Sequence, residues 1–181
     1  MPRAYRPYRD IGYTAATSGQ NRDAESAAGL PLNGSIVRRT KMASRRVPIV
    51  TKPGEEAGEA EVSYHAENRR CLLQLRLGTS QFSGEGPDYF EALCEVRRQL
   101  EAQGLLLRSY GGSRNLVLSG MCRDVGAGLS GYRVSAGKRP VRADLVRIFD
   151  TGPDVEPATV DEQKAFGRAW LQSIAETSDR R

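Results

Sequence analysis

From residue 61 onward the chain alternates between two hydrophobic periods. Glu61–His65 is short and strand-like, and Glu67-Asn68-Arg69-Arg70 is a polar turn. Over 71–77 the residues Cys71, Leu73, Leu75 and Leu77 alternate with Leu72, Gln74 and Arg76, the period of two expected of a strand buried on one face. The two runs and their turn make a hairpin. Gly78–Pro87, rich in glycine and serine, reads as a loop. The period then changes. Asp88 with Glu91 three residues on predicts a capping box, and Tyr89, Leu93, Val96 and Leu100 form a helical stripe. Arg97, Arg98 and Glu101 are expected to face away from that stripe, and Gly104 to end the helix near residue 103.

Leu105–Tyr110 and Asn115–Leu118 read as strands of a second hairpin around Gly111-Gly112-Ser113. For residues 119–130 the signals compete: Ser119 is placed to cap a short helix, and three glycines follow. Tyr132–Val134 and Leu145–Phe149 are two more strands, joined by a basic loop with Lys138, Arg139 and Arg142. Thr159 and Glu162 form a capping box for a last helix over 160–176, with Phe166, Ala169, Trp170 and Ile174 on its apolar face. Hairpin-linked strands favour an antiparallel sheet. The expected class is therefore α+β, an antiparallel sheet with two main helices, about 88–103 and 160–176, on one face. A single domain is expected over 61–178.

Residues 1–60 read differently. Apolar residues are scattered among Arg, Ala, Gly, Ser, Thr and Pro, which predicts a disordered basic arm and linker. Val47–Thr51 reads as a short edge strand, which Pro48 weakens. Residues 53–59 read as solvated linker, and Met42 is a candidate alternative start. The arm matters because of charge. The 181-residue chain carries a formal net charge of +5, yet residues 1–54 hold ten Lys or Arg against three acids, while 55–181 hold 17 against 19. A basic arm attracts polyanions. Arg outnumbers Lys 23 to 4, which reads as a GC-rich, bacterial genome.

Little else points to chemistry. No run approaches the length of a bilayer helix, so no membrane role is expected. The three cysteines, Cys71, Cys94 and Cys122, are odd in number with no closely spaced pair and no Cys-x-x-Cys, which favours reduced thiols in a cytoplasm. A single histidine, His65, leaves acid–base and zinc sites with few ligands. Gly126-Ala127-Gly128-Leu129-Ser130-Gly131 spells a dinucleotide fingerprint, but a strand rather than a helix follows it, so a turn is expected and no cofactor. Asp150-Thr151-Gly152 resembles the active-site triplet of the aspartic proteases, whose chemistry needs two carboxylates sharing a proton. This chain offers one triplet, followed mainly by a helix. Cys122 beside Arg123 at a helix start is the candidate nucleophile, with no fixed base. Residues 119–132 are similar to a segment of small bacterial proteins, without assigned chemistry.

What remains is a surface. Arg108, Arg114, Arg123 and Arg133 lie on or between the middle strands beside Tyr110 and Tyr132. Such a set stacks on bases or grips an acidic partner. The leading expectation is a non-catalytic binding module with a protein partner, of the inhibitor or immunity type, using the open face of the sheet. The alternatives are nucleic-acid binding through the arm and the Arg/Tyr strands, and an enzyme centred on Cys122 or the Gly126–Gly131 loop.

Overall fold

The computed structural model describes residues 43–52 and 54–179. It is an α+β fold with a five-stranded and a three-stranded antiparallel sheet. The larger sheet is formed by β1 (Ala43–Thr51), β2 (Glu56–Glu67), β3 (Arg70–Leu77), β4 (Ser80–Gly86) and β5 (Leu105–Leu107), in the order β4-β3-β2-β1-β5. Helix α1 (Tyr89–Glu101) crosses from β4 to β5. The smaller sheet, in the order β6-β7-β8, uses Leu116–Val117, Ser130–Arg133 and Leu145–Arg147. Helix α2 (Gly120–Asp124) joins β6 to β7, and α3 (Val160–Asp179) ends the described chain. No helix among the described residues is long and apolar enough to cross a membrane.

The expected hairpin of β2 and β3 is present. Asn68 and Arg69 both take positive φ, 48° and 63°, and Glu67 pairs with Arg70, which is the geometry of a two-residue turn matched to strand twist. Alternation then sends Ala60, Val62, Cys71, Leu73 and Leu75 into the core, where they meet Leu93, Val96 and Leu100 of α1. Asp88 caps α1, its Oδ1 accepting from the Glu91 amide at 2.8 Å. Thr159 and Glu162 form the expected capping box of α3: the Glu162 amide donates to Thr159 Oγ1 at 3.2 Å, and the Thr159 amide to Glu162 Oε2 at 2.7 Å. Ser119 caps α2 through the Cys122 amide.

Five expectations change. The arm and linker expected over 1–60 give way to ordered structure from residue 43, where Ala43–Thr51 is β1 and β2 starts at Glu56; the remainder, 1–42, lies outside the described residues. Strand β1 is not at an edge, since it lies between β2 and β5. Pro48 is tolerated there because β5 ends at Leu107, so the amide it lacks faces the end of the ladder, where its carbonyl accepts from the Arg108 amide at 2.9 Å. The Gly78–Pro87 loop contains β4, whose glycines are there for helix–sheet packing: a Cβ on Gly84 would stand 2.2 Å from the Ala92 carbonyl. The second hairpin does not form. Leu105–Leu107 pairs with Thr51–Ile49 of β1, and Tyr110–Gly112 is a turn of 3-10 helix. A Cβ on Gly112 would sit 2.2 Å from the Leu107 carbonyl, so that turn folds flat against β5.

Arg97 is the largest departure. It was expected on the solvent side of α1, yet it is 1% exposed. It follows Leu93 by four residues, and so shares the inward stripe. Its Nη1 donates to the Gly111 carbonyl at 2.9 Å and to Gln163 Oε1 at 2.5 Å, and its Nη2 donates to the Ala158 carbonyl at 2.9 Å. Gln163 Nε2 completes the knot by donating to the Ser113 carbonyl at 2.6 Å. Burial pushes the Arg97 pKa down from its usual value. Removing the guanidinium orphans buried acceptors, each costing about 1–3 kcal/mol. Arg97→Met should therefore lower unfolding free energy by roughly 3 kcal/mol, and Arg97→Lys should not restore it, because one ammonium cannot span the same fork. Urea denaturation checks both, and a loss under about 1 kcal/mol would contradict this role.

Candidate binding surfaces

The six residues singled out from sequence do not share one set of contacts. Tyr110 and Arg133 come together. The Tyr110 hydroxyl donates to Asp154 Oδ1 at 2.8 Å, Arg133 Nη1 donates to Asp154 Oδ2, and the Arg133 guanidinium lies 5.8 Å from the Tyr110 ring centre. Burial and donation to Asp154 push the Tyr110 hydroxyl above its usual pKa near 10. The Tyr110 hydrogen bond, joined by that of Arg133, holds the Asp154 carboxyl below its usual 3.8. The Asp154 hydrogen bond in turn raises Arg133.

The other arginines are held elsewhere. Arg123 sits at the start of α1, 2.9 Å from both Asp88 Oδ2 and Glu91 Oε1, with its guanidinium 5.4 Å from the Phe90 ring centre. Arg114 pairs with Glu156 at 3.2 Å and stands over Phe166 of α3. Arg108, just past β5, reaches Glu56 at 3.9 Å. Tyr132 lies half-buried in β7, between Val117 of β6 and Leu145 of β8. All four arginines thus have carboxylate partners inside the chain, and their charge is largely spent on its own acids.

The residues of the enzyme alternative make local contacts. Cys122 Sγ accepts from Ser119 Oγ at 3.2 Å. The lone histidine is on β2 beside Glu67, at 4.0 Å. In the Gly126–Gly131 segment, the Gly128 amide donates to the Cys122 carbonyl and the Leu129 amide to that of Gly126. The Ala127 carbonyl accepts from the Tyr89 amide at 2.9 Å, so the loop wedges against the start of α1. The Asp150 carbonyl accepts from the Tyr110 amide, and a Cβ on Gly152 would stand 2.2 Å from the Tyr110 hydroxyl oxygen. Among the described residues no group of His, Cys, Asp or Glu is placed to hold a metal.

The face of the large sheet that no described element covers is built from residues outside the Arg/Tyr set. Opposite the core face, Ser44, Ser63, Gln74 and Ser83 form one row across β1–β4 through direct pairing, and Arg46, Glu61, Arg76 and Gln81 form the next. A groove of about 440 Å³ runs along them, lined by Ser44, Glu61, Ser63, Gln74, Arg76 and Gln81. Arg76 holds Glu61 at 2.6 Å and Arg70 holds Glu85 at 2.6 Å. The polar half of the β2 and β3 alternation was the signal for this surface; the part from β1 and β4 had none while those segments read as linker and loop.

No protein-family model matches the chain, and no curated protein matches it.

Asp154 gives a pH test. Its folded pKa is depressed, so the stability it lends is complete above its ordinary unfolded value and is lost as pH falls through the lower folded one. Asp154→Asn should flatten the acid limb of the stability profile, and Tyr110→Phe should cost about 1 kcal/mol at neutral pH. Urea midpoints taken from roughly pH 2 to 7 read both effects.

Proposed function

We propose that this chain is a non-catalytic protein-binding module, of the inhibitor or immunity type, whose contact surface is the open face of the five-stranded sheet. One observation carries the reading. Among the described residues no element covers the face opposite α1, and its groove presents hydrogen-bonding side chains on an antiparallel frame. A frame of that kind loses little entropy when it docks. Its charges are largely paired within the face, so recognition there depends on shape and hydrogen bonds more than on net charge. The same pairing weighs against a phosphate backbone, which needs uncompensated cations.

The test is affinity capture from the native host with the full chain as bait, next to a variant carrying Ser63→Arg and Gln74→Arg. These neighbours pair across β2 and β3 in the centre of the face. A specific protein partner should be retained, and the double variant should weaken its binding by about tenfold or more with little change in Tm. Capture of no protein, dominant capture of nucleic acid, or equal capture by the variant would each defeat the reading.

A further inference from the structure

A second surface lies on other elements and differs in chemistry. Strand β8 is the edge of the smaller sheet. Just past it that edge is closed, because the Gly111 and Tyr110 amides donate to the carbonyls of Ile148 and Asp150. Leu145 and Arg147 themselves remain exposed, as do Lys138, Val141 and Arg142 in the approach to them. Val141 is 62% exposed and Leu145 43%, and they flank the single turn Arg142–Asp144. Among the described residues, Lys138, Arg142 and Arg147 have no ion pair. The acid within this run, Asp144, is engaged: its Oδ2 accepts from the Val141 amide at 2.8 Å, and Arg133 stands 3.9 Å from it. The backbone is held in place. The Trp170 indole donates to the Lys138 carbonyl at 3.0 Å, the Gly137 amide to Ser173 Oγ at 2.7 Å, and Arg133 Nη2 to the Ala143 carbonyl at 3.3 Å.

We propose that this strip, residues 138–147, docks an acidic protein segment that also carries aliphatic side chains. The argument is complementarity. Uncompensated cations on a fixed backbone attract carboxylates over a Debye length and set a salt-dependent encounter rate. Val141 and Leu145 between them gain only from apolar contact, which a phosphate backbone does not offer. Asp150, exposed just beyond the strip, sets one like charge against a uniformly anionic surface such as a lipid bilayer or a nucleic acid. A protein segment can set a cation or a neutral residue opposite it. The surface therefore fits a segment with acidic and aliphatic residues interspersed.

Fluorescence anisotropy with the full chain tests this against four labelled probes: a peptide alternating Glu with Leu and Val, poly-glutamate, single-stranded DNA, and vesicles containing phosphatidylserine. The acidic–aliphatic peptide should bind best. Arg142→Ala with Arg147→Ala should weaken it about tenfold and reduce its salt dependence. Val141→Ser with Leu145→Ser should weaken it by a similar factor of about ten and leave the salt dependence unchanged. The emission of Trp170, the sole tryptophan, reports that the strip is still docked on α3 in each variant. Absence of peptide binding, equal binding of poly-glutamate, tighter binding of DNA or vesicles, or unaltered affinity in both variants would overturn the proposal. The Ser63→Arg and Gln74→Arg variant should bind the peptide normally, so failure here is distinguishable from failure of the groove.

Discussion

The guanidinium of Arg97 is the constraint on which much of the architecture rests. It donates to neutral acceptors from three segments that lie 14, 61 and 66 positions away in sequence. A charge taken out of water at this depth is tolerated only when its donors are satisfied. The Tyr110–Gly112 turn, the Ala158 carbonyl and the first turn of α3 must therefore all converge on one point. Gly111 has to be a glycine there, because a Cβ would stand 2.6 Å from Leu93 Cδ2 and 2.9 Å from the Ile148 carbonyl. Glu101, one turn further along α1, adds a second tie by accepting from the Val160 amide at 2.9 Å. Once the start of α3 is set, Trp170 falls against the Lys138 loop, and the basic strip inherits its position from a side chain in the core.

Charge outside the core is organised in two ways. Most of the arginines in the middle of the fold are matched with acids of the same chain, and they tie segments together: Arg123 links α2 to the start of α1, and Arg133 links β7 to Asp154. Such pairs orient loops more than they stabilise them, since half-exposed ion pairs contribute little net free energy. The open face of the large sheet follows the same pattern, with Arg76 on Glu61 and Arg70 on Glu85. In the strip over 138–147, Lys138, Arg142 and Arg147 do not, and they sit beside exposed aliphatics. The two surfaces thus offer opposite kinds of recognition, one by hydrogen bonds in a neutralised groove, the other by net charge with apolar contact.

Much of this was legible in the residues wherever the determining interaction is local. The helices α1 and α3 announce themselves through capping boxes and apolar stripes, and the β2–β3 hairpin through its alternation and polar turn. Glycine was the main source of misreading. At Gly84, Gly86, Gly111 and Gly112 it marks backbone surfaces pressed together, not a flexible loop. Arg97 was misplaced for a related reason. An arginine is ordinarily exposed, and the carbonyls that draw this one inward come from distant parts of the chain. The Arg/Tyr set was also read as one surface because its members are close in sequence, whereas their partners, Asp88, Asp154 and Glu156, are not.

The amino-acid sequence by itself therefore determined the class of the fold, two helices with their caps, and the polar character of the sheet face that stays open. Those features depend on periodicity and on hydrogen bonds within a few residues. Tertiary structure alone decided that β1 would lie between β2 and β5, that α1 would bury an arginine, and which cations would be left without an internal acid. Each of these is a contest between partners far apart along the chain, settled only when packing brings them within hydrogen-bonding or van der Waals distance.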